Sequence, residues 1–149
     1  MITRYIMAIP DVPGHRLYPD SAYRLYACLL EQLPPEYSQV LHASGGRWIR
    51  QFLKYDKDTS EYRWHLSILT DAGAEMLMPV LDGLHDVQIE HWSFPIVQKE
   101  AQQVSLEFLL RQSTDTTRTN IVFLTPTAFR QSGRYTIFPP VSYTHLTLP

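Results

Sequence analysis

Cysteine is almost absent from this chain of 149 residues, and no long apolar run occurs in it. The single cysteine, Cys28, has no partner for an internal disulfide. It falls at helical spacing among leucines, which predicts a buried structural thiol. No run approaches the ~20 apolar residues of a membrane helix, and Arg4 interrupts the apolar start, so neither a membrane anchor nor a signal peptide is expected. We therefore expect a cytoplasmic protein.

Lysine is scarce, and acidic groups are concentrated in one segment. Ten of the thirteen basic residues are arginines, which suit phosphate binding and base stacking better than lysines do. Residues 71–107 hold seven acidic groups against Lys99 alone, whereas residues 47–70 hold five basic and three acidic groups. An anion-binding surface is therefore expected outside 71–107. Solvated faces of an acidic and a basic element explain the same charge pattern.

Metal-binding and phosphate-binding motifs are also missing from the sequence. The six glycines form no phosphate-binding loop motif. His85, Asp86, Glu90 and His91 lie close together, but their spacing matches no standard zinc or iron site. We expect no metal and no cofactor.

Apolar periodicity predicts a mixed domain in the first half of the chain. Residues 4–9 indicate a strand, and residues 20–33 indicate an amphipathic helix that Pro34 and Pro35 end. A second, shorter helix follows and ends at Ser44-Gly45-Gly46. Its last turn contains His42.

From Trp48 the apolar period changes to two. Residues 48–55 and 62–69 alternate and predict a β-hairpin, and residues 71–84 predict a second amphipathic helix. Residues 87–97 indicate a strand that bends near Pro95. A helical turn over 106–110 and a strand over 121–124 complete the predicted elements.

This order is β-α-β-β-α-β with one extra strand, which predicts an α+β, ferredoxin-like (RRM-like) fold. Both main helices are expected on one face of an antiparallel sheet, so that the other face is open to a partner. The predicted core consists of Ala22, Leu25, Leu29, Leu53, Leu66, Ile68, Leu77, Leu81 and Ile89.

One face of the predicted hairpin combines cations with aromatic rings. Its members are Arg50, Phe52, Lys54, Arg63 and His65. Such a face is a candidate platform for RNA phosphates and stacked bases. A strand pair that faces solvent or another domain explains the pattern as well.

Two motifs resemble those of a known family. The segment QVLHASGGRW, followed by a β-hairpin and later by TPTAFRQSG, resembles the CRISPR-associated endoribonucleases of the RAMP superfamily, which cut repeat RNA into guide RNAs. The resemblance implies cleavage without a metal, in which the 2′-hydroxyl attacks the scissile phosphate and leaves a 2′,3′-cyclic phosphate and a 5′-hydroxyl. It implies that His42 is the general acid-base residue and that Arg47 is the cation that binds the scissile phosphate. Gly45 and Gly46 would let the RNA backbone come close.

The family pattern does not match in one place. Members that use a tyrosine partner place it in the first helix, where this chain has Leu30 or Ala27. Tyr26 and Tyr37 are the neighbouring candidates. A histidine that only caps its own helix is the alternative for His42.

The resemblance also implies a domain organisation. Residues 1–118 are expected to form the N-terminal ferredoxin-like domain, and residues 119–140 a linker strand into a second such domain that this chain lacks. Residues 141–149 are interpreted as a tail foreign to the natural protein.

The implied partners are CRISPR repeat RNA and other proteins of a CRISPR complex, without a membrane. A catalytically inactive RNA-binding subunit of the same superfamily is the alternative function. A module for a small molecule or a protein partner is a third.

Overall fold

The computed structural model describes residues 1–43 and 48–112, except for the side chain of His42, and the backbone of residues 129–131 and 134–136. The chain divides into two compact units, Met1–Asp115 and Thr116–Pro149. The elements in chain order are β1 (Ile2–Pro10), α1 (Ser21–Glu31), α2 (Pro35–Ala43), β2 (Ile49–Asp56), β3 (Glu61–Ile68), α3 (Asp71–Gly83), β4 (Asp86–Ile89), β5 (Trp92–Pro95), β6 (Gln98–Val104), α4 (Leu106–Gln112), β7 (Phe129–Gln131) and β8 (Arg134–Thr136).

Four strands of the first unit form one antiparallel sheet in the order β2-β3-β1-β6. The N-terminal strand is therefore central, with β3 on one side and β6 on the other. Together with α1 and α3, the sheet has the ferredoxin-like β-α-β-β-α-β arrangement. The predicted fold class is confirmed.

The core lies between the sheet and its helices. Tyr5, Met7 and Ile9 of β1 are fully buried and belong to the same apolar cluster as the inner sides of α1 and α3. Tyr5 also donates a hydrogen bond to Asp82 of α3 (2.7 Å). The helices cover one face, as predicted, and all nine predicted core residues are buried in this cluster.

The predicted strand over 87–97 is wrong. This segment forms the separate hairpin β4–β5, whose two-residue turn contains Glu90 in the left-handed region (φ 59°). The fourth strand of the main sheet is instead β6, which the sequence did not reveal. Its residues QKEAQQV are mostly exposed because β6 is an edge strand, so no apolar alternation marks it.

Of the remaining predicted elements, some are confirmed and others lie outside the described residues. The short second helix is α2, and the helical turn over 106–110 is α4. The predicted strand over 121–124 and the tail over 141–149 lie outside the described residues. In the second unit, β7 and β8 pair as a short antiparallel hairpin.

No helix in the described part of the chain is both long enough and apolar enough to cross a membrane.

The start of α3 is tightly packed, and two glycines of this helix allow a matched test. The Thr70 hydroxyl accepts a hydrogen bond from the Gly73 N–H (3.1 Å). A methyl group on Gly73 would lie 3.0 Å from this hydroxyl and 3.0 Å from the Ile68 side chain, whereas one on Gly83 would meet nothing within 4 Å.

We expect Gly73→Ala to destabilise the protein by about 1 kcal/mol, because the helix cap or Ile68 must shift. Gly83→Ala should stabilise it by up to about 0.5 kcal/mol through helix propensity. Urea unfolding of both variants measures the difference. Equal stabilisation by the two alanines would show that the start of α3 has room for a side chain.

Candidate functional site

The face of the sheet opposite the helices, called the open face below, is the candidate site. Side chains alternate along each strand, so the pairing register decides which residues share this face. Its members are Arg4, Ile6 and Ala8 of β1, Arg50, Phe52 and Lys54 of β2, Arg63, His65 and Ser67 of β3, and Gln98, Glu100 and Gln102 of β6.

The structure brings all five predicted hairpin residues together. Phe52 is paired with His65, and Lys54 with Arg63, in neighbouring rows of the β2–β3 hairpin. The rings of Phe52 and His65 stack, with centroids 4.3 Å apart and planes 9° from parallel. The hairpin therefore presents a stacked aromatic pair flanked by cations.

Arg4 is a fourth cation of the open face and lies outside the predicted hairpin. Its Nη2 lies 3.0 Å from Nδ1 of His65. A guanidinium group only donates, so Nδ1 of His65 is the acceptor and the imidazole proton is on Nε2. The alternation within β1, in which Tyr5 and Met7 are buried and Arg4 is exposed, was the available signal.

His65 is neutral at physiological pH. Burial lowers the pKa of this imidazole, and the positive charges of Arg4, Lys54 and Arg63 lower it further, to about 4. Its ring can therefore take part in stacking without adding a charge to the face.

The four cations of the open face differ in how they are held. Arg63 forms ion pairs with Glu61 (3.2 Å) and Asp56 (3.9 Å) at one end of the hairpin. Arg50 donates a hydrogen bond from Nη1 to the carbonyl of Ile49 (2.8 Å). Arg4, Arg50 and Lys54 are exposed to solvent. Their positive charge is thus accessible to an anionic ligand.

The residues implied to act in catalysis are less fully described. The backbone of His42 lies in the last turn of α2, as predicted. Gly45, Gly46 and Arg47 lie outside the described residues. The proposal that His42 and Arg47 act together therefore rests on the sequence resemblance.

The two tyrosine candidates lie on the helices. Tyr26 is partly buried on α1, where burial raises the pKa of its phenol, and it lines a groove with Leu30 and Ser38. Tyr37 and His42 are five residues apart on α2, which separates them by about 140° around the helix axis. Tyr37 therefore does not share the helix face of His42.

A second concave region lies at the end of the sheet where β1 and β2 finish, with a volume of about 830 Å³. His15 and Trp92 stack in its wall with ring centroids 3.4 Å apart. Its Arg24 is paired with Glu90, and Asp11 adds another carboxylate. This mixed charge suits a polyanion less well than the open face does.

Within the described residues, no group of three or more histidine, cysteine or carboxylate side chains is arranged to hold a metal ion.

The lowered pKa of His65 has a consequence for stability. In the unfolded chain the imidazole has its ordinary pKa of 6.5, so the unfolded state binds more protons between about pH 6.5 and pH 4. Stability must therefore fall as the pH falls through this window.

We expect His65→Phe, which keeps a ring beside Phe52, to lose less stability on acidification than the wild type. Because the site is partly exposed, the difference should be on the order of 1 kcal/mol between about pH 7 and pH 4.5. Urea unfolding at both values measures it. Identical losses in the two proteins would show that His65 has an unperturbed pKa.

Known proteins are similar to this chain in sequence and in fold. No protein-family model matches the chain. The CRISPR-associated endoribonuclease Cas6 of two Mycobacterium tuberculosis strains, CDC 1551 and H37Rv, is 27% identical over 124 residues, which cover 77% of this chain and 38% of the relative. Cas6 of Streptococcus thermophilus is 27% identical over 124 residues, 80% of this chain and 50% of the relative. The chain thus spans half or less of the length of these curated relatives.

Two solved Cas6 product complexes show the same fold. One has a TM-score of 0.66 and 22% sequence identity, and the match covers 91% of this chain and 58% of the chain in that structure. The other has a TM-score of 0.63 and 18% sequence identity, and the match covers 91% of this chain and 56% of the chain in that structure. At these identities the structures support the fold alone, and the sequence relatives show which proteins the chain resembles in sequence. The chain is therefore similar in sequence to Cas6 endoribonucleases and in fold to the two Cas6 structures, which confirms the resemblance drawn from its sequence.

Proposed function

We propose that this chain belongs to an endoribonuclease that processes CRISPR repeat RNA, and that the open face is its RNA-binding surface. The observation that carries the proposal is the grouping of four cations around the stacked Phe52–His65 pair. The similarity of the sequence to CRISPR-associated endoribonucleases supports the substrate class. Guide-RNA production then follows as the role of the whole protein.

The spacing of the cations suits a polyanion that crosses the sheet. Arg50 and Lys54 are four residues apart on one strand, which places their Cα atoms about 13 Å from each other. Arg4 lies two strands away from Arg50, in the same row across Ser67. Such a spread contacts several phosphates of one strand, whereas a single small anion would reach only one cation.

His42 and Arg47 are the proposed catalytic residues. The last turn of a helix favours a protonated imidazole, because the free carbonyl groups there are partly negative. A protonated His42 would donate to the leaving 5′-oxygen, and a neutral one would accept the proton of the attacking 2′-hydroxyl. Arg47, across Gly45 and Gly46, would stabilise the charge on the phosphate.

RNA binding by the open face can be tested with charge-neutralising variants. We expect Arg50→Gln combined with Lys54→Gln to weaken binding of repeat RNA and to reduce the salt slope, log Kd against log salt, by about 1.4 for two lost contacts to single-stranded RNA. Arg24→Gln on the helix layer is the control for the loss of positive charge. Fluorescence anisotropy over a salt series gives both quantities. An unchanged slope in the double variant would exclude the open face as the RNA surface.

Catalysis by His42 can be tested in the full-length gene product. We expect His42→Ala to slow repeat-RNA cleavage by about 10²- to 10⁴-fold with little change in RNA affinity, because a positioned acid-base group contributes this much. Chelator should leave the wild-type rate unchanged. Exposed His91 provides the control substitution, His91→Ala.

The result also separates the two candidate functions. Cleavage by His42→Ala at the wild-type rate would remove this residue from the mechanism and direct attention to Tyr26 or Tyr37. RNA binding without any cleavage by the wild type would favour the catalytically inactive RNA-binding subunit.

A further inference from the structure

We propose that the open face selects single-stranded RNA by stacking one unpaired base on the outer side of the His65 ring, above Ile6. The inference rests on the proposed role of this face in RNA binding and adds a base-binding position to it. Three features of the described residues carry it: the direction of the aromatic stack, the side chains around the position, and the state of the imidazole.

The direction of the stack follows from the pairing register. The centroids of Phe52 and His65 are 4.3 Å apart and their planes are nearly parallel. This separation is close to the ~4.8 Å between neighbouring strands, so the stack runs across the sheet from β2 to β3. The next stacking position in this direction lies above β1, where Ile6 is the direct partner of His65.

The position above Ile6 has a wall on each side. Arg4 borders it in one neighbouring row through its bond to His65. In the other row, Arg63 donates to Oε1 of Gln98 (3.4 Å), and this contact crosses above the small residue Ala8.

Glu100 is the partner of Ile6 on β6, and it lies on the opposite side of the proposed base position from His65. Two strand spacings, about 10 Å, separate the backbones of β3 and β6, which leaves room for one planar base. The Ile6 side chain, which is only partly buried, is the apolar floor.

The chemistry of these walls suits a base with its phosphates. The neutral imidazole offers a ring face, whereas Arg4 and Lys54 offer positive charge to the phosphates on either side. Every base has a ring face, so such a position tolerates different sequences. Bases inside a duplex are already stacked on both faces and are not available, so the position favours unpaired RNA.

The 149-residue chain itself is suited to the test. Fluorescein-labelled octa-adenylate RNA is compared with a fully abasic ribose-phosphate oligomer of the same length and charge, by anisotropy at low salt. We expect the intact RNA to bind at least about 10-fold more tightly, since stacking is worth about 1–3 kcal/mol per base.

Variants of His65 locate the stacking. His65→Leu should reduce this preference to below about 3-fold, because it removes the ring on which the base stacks. His65→Phe should retain the preference, because it retains a ring. Circular dichroism checks that both variants fold, and the comparison of the two oligomers on the wild type needs no variant.

Each contrary result has a separate meaning. Equal affinity of the wild type for the two oligomers would overturn base stacking while leaving phosphate binding by the open face in place. A preference that survives in folded His65→Leu would overturn the position above Ile6 and point to the His15–Trp92 stack. No binding of either oligomer at low salt would overturn the RNA-binding role of the open face itself.

Discussion

The pairing of β1 between β3 and β6 is the constraint on which the rest of the structure depends. With Tyr5 opposite Leu66, one set of β1 side chains enters the core and the other reaches the open face. A slip by one residue would exchange the two sets, placing Arg4 against the helices and Met7 in solvent. The apolar core and the cationic face are therefore specified by the same register, and burial of Tyr5, Met7 and Ile9 holds Arg4 beside His65.

Elements that carry their own apolar pattern could be predicted from the sequence. Leu25 and Leu29 mark the inner side of α1, and the alternation through Leu53 and Leu66 marks the hairpin. The edge strand β6 has no such pattern, because only pairing with β1 holds QKEAQQV in an extended form. The apolar segment before it was therefore mistaken for the fourth strand, although Val87 and Phe94 are buried within the separate β4–β5 hairpin.

The residues of the candidate site likewise separate into those that could be predicted from the sequence and those that could not. Local alternation was sufficient to place Arg50, Phe52, Lys54, Arg63 and His65 on one face. Alternation within β1 separates Arg4 from the buried Tyr5 and Met7, but its place beside His65 depends on a pairing between strands about sixty residues apart in sequence, which no local pattern encodes. The ionisation of His65 was also beyond the sequence, since it depends on burial and on cations from three different strands. For His42, the sequence predicted the helical turn, and its chemical role remains a proposal.

The pairing of Ile2 with Val104 has a consequence for synthesis of the protein on the ribosome. The β2–β3 hairpin is local and can form early, whereas the sheet cannot be completed until residue 104 has emerged. During that interval the edge of β1 that later pairs with β6 has unpaired backbone groups, which makes it accessible to other nascent chains. Translation speed between β3 and β6 should therefore affect the yield of folded protein more than translation speed after β6.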